Sequence, residues 1–309
     1  MPRRLPASAI VVLLATLVIP FPATAQLPTG TSDVVVVDSG AEPRRELRYE
    51  WVVDGRERLE STVTVDVAAS EAGQPVMDMT LPVTMTIESR VTKLESDGTA
   101  WIAMTFDDLV FGPLSMSGAG VPEGDVAASA FDEAMEQVTP LLDETHVWRL
   151  IDDRGQVIRT NVEFPAGFPV EAEQQIMQTS ASVALLPAEP VGVGARWQST
   201  GTTETQGVSI SVTTAMELVE MDGDVITLAM SVQLSDDTDN VLPTANPFDD
   251  LSVAGAGTYR VDLGGIFPRE AIADMTMGMA GDLPDGSGGI VPVEMQVDVA
   301  MAMEATALD

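Results

Sequence analysis

Apolar and polar residues alternate along much of the chain with the period of a β-strand. Between Met77 and Ile87 every second residue is apolar, and Asp, Thr and Pro occupy the positions between them. Successive side chains of a strand point to opposite faces of a sheet, so this pattern predicts a strand with one dry face. The same alternation from Ala273 to Met279 and from Met295 to Met303 predicts that these strands contribute to one methionine-rich face.

Short turn signals separate the alternating segments. Asp-Gly pairs at residues 54–55, 97–98 and 222–223 are typical of β-hairpin turns. The first pair predicts a hairpin between a strand at Leu47–Val53 and the strand that follows it. The stretch 235–257 is rich in Asp, Asn, Pro and Gly and therefore predicts a loop.

Two segments between the strands have a helical period instead. Apolar residues recur at helical spacing over 126–138, with acidic residues on the opposite side. Pro169 predicts the start of a second helix over 170–184, which Pro187 ends. The fold class expected from these elements is α+β and mainly β, a curved antiparallel sheet or half-barrel of about ten strands with two helices packed on one face.

The first 25 residues have the layout of a secretory signal peptide. Arg3 and Arg4 precede an apolar run from Ala7 to Val18, and residues 23–25 form an A-x-A cleavage site. The run is too short for a membrane span, and no cysteine adjoins the cut to carry a lipid. We therefore expect export to the periplasm or the extracellular space, without a transmembrane segment or a lipid anchor.

One β-rich domain is expected after the signal peptide. Residues 26–42 predict a flexible tether, and residues 43–309 predict the domain itself. Segments 43–111 and 195–304 share a hairpin pattern and could be related halves around a helical insert at 121–186.

The net charge of the chain argues against some classes of binding partner. Its 48 acidic and 15 basic residues give a net charge of −33, which repels nucleic acid and anionic lipid surfaces. The chain has no cysteine, so no disulfide stabilises it in an oxidising compartment. The sequence does not identify a protein partner.

Catalytic and metal-binding motifs are hard to find. The single histidine, His146, has no G-x-S-x-G nucleophile motif to act with, and its expected role is a hydrogen bond at a hairpin edge. The acidic loops at 236–240 and 282–289 lack the EF-hand spacing, and solvation is the favoured interpretation over calcium binding. Met275, Met277 and Met279 could offer three thioethers to Cu(I), but core or pocket lining is favoured. Hydrolysis by paired carboxylates stays open, and no cofactor, metal or catalytic residue is predicted.

The block Leu186–Trp197 resembles the LP…PV.VG..W segment of an uncharacterised family of bacterial exported proteins, which begin with a strand like Leu47-Arg48-Tyr49. The order of elements also resembles, at the level of fold alone, the half-barrel carriers of the LolA and LppX type. That resemblance implies acyl chains held between a concave sheet and a helical lid. Neither resemblance supplies a catalytic residue.

The leading hypothesis is an exported, non-enzymatic binding or carrier domain for an apolar or lipid-like ligand held between the sheet and the helices. The alternative is an envelope or surface protein-interaction module with a filled core and no small ligand. The candidate ligand-lining residues are Met77, Met79, Leu81, Val83, Met85, Ile87, Met104, Phe131, Met135, Ile176, Met275, Met277, Met279, Val297, Val299 and Met301.

Overall fold

A computed structural model describes residues 34–118, 124–165, 183–205, 208–234, 248–284 and 290–308. These residues form thirteen β-strands and one α-helix, α1, at Gly124–Asp143. The strands are β1 (Val34–Asp38), β2 (Arg56–Glu71), β3 (Gln74–Leu94), β4 (Ala100–Phe111), β5 (Ser115–Ser117), β6 (His146–Ile151), β7 (Val157–Glu163), β8 (Arg196–Thr205), β9 (Val208–Asp222), β10 (Val225–Leu234), β11 (Phe248–Asp262), β12 (Pro268–Pro284) and β13 (Ile290–Leu308). Within these ranges, no helix is long and apolar enough to span a bilayer.

All thirteen strands belong to one antiparallel sheet. Its order is β1-β8-β9-β10-β11-β12-β13-β2-β3-β4-β6-β7, and β5 pairs with the end of β3 that β4 does not reach. The strand β2 pairs with the last strand, β13, over the whole of Arg56–Glu71. The two halves of the chain therefore meet in the middle of a single sheet, whose edges are β1 and β7.

The alternating residues of neighbouring strands share one face because they are direct register partners. Met79, Val67, Val297 and Met277 follow one another across β3, β2, β13 and β12. The same parity continues along each strand and carries most of the buried apolar side chains. We call this side of the sheet the inner face and the opposite, polar side the outer face.

The predicted layer of two helices is wrong. In the described residues, α1 is the one helix, and it packs on the β4 side of the sheet through Phe131, whose ring meets Phe111 edge-on at 5.7 Å between centroids. Most of the second predicted helix, residues 170–182, lies outside the described residues, while Val183 and Ala184 are buried in non-helical chain. The fold is a nearly all-β antiparallel sheet, and not an α+β sheet with a helical layer.

The strands also differ in number from the ten expected. β1 lies within the stretch predicted as a tether, and β11 begins at Phe248 within the predicted loop. β1 forms through pairing with a distant segment, as in the partnership of Val34 with Ser199, whereas β11 pairs with the adjacent strands β10 and β12. Leu47–Val53, predicted as a strand, is not part of the sheet, although Leu47 and Trp51 are buried.

Non-strand chain covers one end of the inner face. Tyr49 Oη donates a hydrogen bond to Ala184 O at 3.0 Å, and the Tyr49 ring stacks on Trp51 at 4.8 Å. Trp197 Nε1 donates to Leu185 O at 2.9 Å, so the tryptophan of the LP…W block is anchored in the core. We call this end of the sheet the closed end.

Glycine lets β11 and β12 bend toward each other on the inner side. A Cβ built at Gly257 would lie 2.8 Å from the Cβ of its register partner Ala273. Paired Cβ atoms of an ordinary antiparallel sheet stand about 4.5–5.5 Å apart. The inner face is therefore concave along these two strands, as a strand glycine often permits.

Candidate ligand-binding face

The structure gathers most of the predicted lining residues on the inner face. The alternate residues of β3 from Met77 to Ile87 share it with Met275, Met277 and Met279 of β12 and with Val297, Val299 and Met301 of β13. Met104 of β4 pairs with Ser89 on the same face. Phe131 and Met135 belong to α1, and Ile176 lies outside the described residues.

Exposure changes along this face from one end of the strands to the other. Met79, Leu81, Val297 and Met301 are at most 4% exposed. At the end opposite the closed end, the row of Met77, Met295 and Met279 is only half-buried. On β12, Met275 and Met277 are half-buried as well, although their register partners Val299 and Val297 are buried. We call this second end the methionine end, because its accessible apolar surface is mainly thioether side chain.

A small cavity lies on the inner face between the two ends. Its volume is about 20 Å³, close to what one water molecule needs. The side chains and backbone around it are those of Met230, Val232, Gly255, Ala273, Asp274, Met275, Val299 and Met301. This cavity is too small for a lipid tail, so a guest that enters it has to displace flexible methionine side chains.

A larger depression of about 460 Å³ opens at the methionine end, but mostly on the outer face. Two register rows supply most of its lining, the row of Asp78 and Gln296 and the row of Glu294 and Asp250. Small residues form its floor, and three carboxylates stand around it. This surface suits polar solutes better than an apolar tail.

Of the buried hydroxyl groups on the inner face, three have no hydrogen-bond partner among the described residues. These are Ser61, Thr214 and Tyr259, which are at most 3% exposed. Buried polar atoms of native proteins nearly always have a partner in protein or water. The sequence analysis did not single them out, although Tyr259 alternates with Val261 and Leu263, which could have placed it on the inner face.

Two charged side chains are also withdrawn from water. Arg149 pairs with Ile102 on the inner face, and burial lowers its pKa to about 10. Glu57 is half-buried at the closed end, where its Oε2 accepts hydrogen bonds from the backbone N–H groups of Ile266 at 2.9 Å and Phe267 at 2.8 Å. Burial raises the pKa of Glu57 despite these hydrogen bonds.

The described residues contain no group of three or more His, Asp or Glu side chains that could hold a metal ion. His146 is exposed at the start of β6, with its ring 5.9 Å from that of Trp148. Of the loops considered for calcium, residues 236–240 lie outside the described chain. Met275, Met277 and Met279 do share a face, but binding of Cu(I) there stays a hypothesis.

No family model and no curated protein matches the sequence. Among solved structures, lipovitellin is similar at 12% identity with a TM-score of 0.45, over 82% of this chain and 25% of that chain. The chain thus spans a quarter of the length of the lipovitellin chain. An outer membrane channel from Pseudomonas putida F1 is 9% identical with a TM-score of 0.24, over 84% of this chain and 97% of that one.

A Pseudomonas aeruginosa FadL homologue is also similar, at 9% identity and a TM-score of 0.23, over 81% of this chain and 90% of that chain. The resemblances to the LP…W family and to the LolA and LppX carriers stay predictions.

Proposed function

We propose that this protein is an exported, non-enzymatic binding or carrier domain that holds an apolar, lipid-like ligand on its inner face. The observation that carries the proposal is the graded exposure of that face. One end is sealed by buried core, whereas Met77, Met277, Met279 and Met295 leave apolar surface accessible at the other. Contiguous accessible apolar surface on a soluble domain is typical of an interaction site.

Methionine suits this role for a physical reason. Its side chain is unbranched and polarizable, so several methionines can rearrange around guests of different shape at little cost. The small cavity on the inner face is compatible with such a site, because Met230, Met275 and Met301 line it. Entry of a lipid tail would displace these side chains and bury its own apolar surface.

Lipid titration of two matched variants tests the proposal. Met279→Glu places a carboxylate at the methionine end of the inner face, and Ala254→Glu places the same charge on the exposed outer side of β11. A carboxylate against an apolar tail is costly, so we expect Met279→Glu to weaken binding of methyl oleate and oleic acid at least about tenfold. Ala254→Glu should bind as the unchanged protein does.

Equal binding by both variants, with thermal unfolding showing both folded, would overturn the location of the site. If the unchanged protein binds neither lipid and carries none through purification, the carrier proposal itself is wrong. Export is tested separately, by cell fractionation and by N-terminal sequencing for a mature chain that begins at Gln26.

A second candidate, a surface protein-interaction module, is favoured by the small cavity and by one edge of the sheet. β1 exposes Val35 and Val37, which are 54% and 62% exposed, beside an unpaired strand edge in the described sheet. Edge strands of this kind pair readily with another chain unless a charge blocks them. For this candidate, Val35→Lys should abolish cross-linking to a partner while leaving lipid binding unchanged.

A further inference from the structure

Tyr259 is a buried hydrogen-bond donor on the apolar inner face. Its side chain is 0% exposed, and its hydroxyl has no partner in the described part of the chain. The chain's other tyrosine, Tyr49, is equally withdrawn from water, but its hydroxyl donates to Ala184 O. Of the two tyrosines, Tyr259 is therefore the one whose hydroxyl can still donate a hydrogen bond to a ligand.

A lane of small residues begins beside Tyr259 on the inner face. Ala271 is the register partner of Tyr259, and Ala273 is the partner of Gly257 in the next inner row. Gly255 follows toward the methionine end, and the cavity of about 20 Å³ lies over this part of β11 and β12. The small side chains leave room above the backbone that larger residues would occupy.

The lane is long enough for a lipid tail. Together with the methionines beyond it, the lane runs from the row of Ala271 to the row of Met279, which is eight residues along β12 or about 26 Å at the usual rise of a strand. Small residues line its first half, and Met277 and Met279 line the second. Its first row is sealed at the closed end, while its last row reaches the half-buried methionines. A polar head at Tyr259 would therefore place an apolar tail over the accessible methionine end.

The charges on the same face favour a neutral head group. Ser61 lies in the row of Tyr259 and adds a second unpartnered hydroxyl, and the next titratable side chain along β2 on this face is the carboxyl of Glu57. Among the described residues, the buried cation of this face is Arg149, which lies on β6, separated from β11 by five strands in the sheet order. A buried carboxylate at Tyr259 would have no paired cation in that row, which makes its burial costly.

We propose that the inner face binds a neutral single-chain lipid lengthwise along β11 and β12, its ester carbonyl or alcohol oxygen accepting a hydrogen bond from Tyr259 Oη and its tail lying at the methionine end. This inference rests on the proposed function and names the ligand class and the residue that selects it. Tyr259 acts as a specificity determinant.

Competition against a fluorescent lipid probe tests the assignment with three ligands of similar tail. Methyl oleate has a neutral acceptor head, oleic acid an anionic one at neutral pH, and octadecene none. The unchanged protein should prefer methyl oleate over octadecene by about three- to tenfold, the worth of one buried hydrogen bond. Tyr259→Phe should abolish this preference and leave octadecene binding unchanged.

Tyr49→Phe is the matched control, because it removes the same atom from the tyrosine that already has a partner. It should keep the preference for methyl oleate. Retention of the preference in Tyr259→Phe, or tightest binding of oleic acid by the unchanged protein, would overturn the inference while the proposed function stands. Failure of all three ligands to bind the unchanged protein would instead overturn the proposed function.

Discussion

The two tyrosine hydroxyls differ in what their removal should cost the ligand-free fold. Tyr49→Phe deletes a hydrogen-bond donor and leaves the buried carbonyl of Ala184 without a partner for that bond. We therefore expect a loss of about 1–3 kcal/mol in the free energy of unfolding. Tyr259→Phe removes a hydroxyl that has no partner in the described chain, and stability should stay equal or rise. Urea unfolding of both variants measures the difference; equal losses would show that Tyr259 is hydrogen-bonded in the fold itself.

Glu57 is expected to make stability fall as pH rises. Burial raises its folded-state pKa above the ordinary value of 4.5, so the folded protein holds this proton more tightly than the unfolded chain does. The contribution of Glu57 is then fully present below the unfolded pKa and is lost as pH rises through the folded pKa. Glu57→Gln removes this dependence while keeping an oxygen for the N–H groups of Ile266 and Phe267.

The measurement is the free energy of unfolding of both proteins across the acidic to neutral range. Relative to Glu57→Gln, the unchanged protein should lose stability as pH increases, since all other titrating groups cancel in the difference. The exposed variant Glu294→Gln, whose register partners are Ser70 and Ala280, serves as control and should show no such trend. A flat difference for Glu57→Gln would mean that burial does not perturb this carboxyl.

At the scale of the strands, the outer face places three glutamates in one register row. Glu60, Glu304 and Glu270 are direct partners on β2, β13 and β12, and Arg260 approaches Glu270 at 3.7 Å. Like charges directly opposite in a sheet are destabilising by a fraction of a kcal/mol. We expect Glu304→Gln to raise the free energy of unfolding by about 0.2–1 kcal/mol at low salt.

Glu294→Gln is the control for that substitution. It removes one charge from the same strand and face, but the register partners of Glu294 are Ser70 and Ala280. Thermal unfolding at low and moderate salt should show a gain for Glu304→Gln that shrinks with salt, and little change for Glu294→Gln. Equal gains in both variants would assign the effect to net charge alone.

Local patterns predicted some of these elements and missed others for physical reasons. Side chains of a strand alternate between the two faces of a sheet, so the apolar positions that include Met77 and those that include Met279 could be expected to share a face. The first part of β11, within the predicted loop, was missed because its Gly255 and Gly257 have low strand propensity. These glycines instead permit the close approach of Ala273. Whether the Tyr259 hydroxyl has a hydrogen-bond partner depends on which residues of other strands lie beside it, and a single sequence does not specify them.

At the scale of the molecule, the decisive contact joins the two ends of the chain. β2 pairs along its whole length with β13, so strands near the start and the end of the sequence form the centre of the sheet. Such pairing closes a loop of most of the domain before it yields hydrogen bonds, and folds with distant contacts form slowly. No short-range signal in the sequence indicates this partnership, so the sequence predicted a shared hairpin pattern in segments 43–111 and 195–304 but not their pairing.

The net charge of −33 should make the stability of the whole fold depend on salt. Acidic side chains on one compact surface repel one another, and the repulsion is weaker in the expanded unfolded chain. Raising ionic strength from about 0.01 M to about 0.15 M shortens the screening length from about 30 Å to about 8 Å, so the midpoint of thermal unfolding should rise by several degrees. Differential scanning calorimetry measures the midpoint, with equal osmolality of sucrose as the control for excluded-solute effects. An unchanged midpoint would mean that pairs such as Arg58 with Asp107 and Arg45 with Asp224 already balance the repulsion locally.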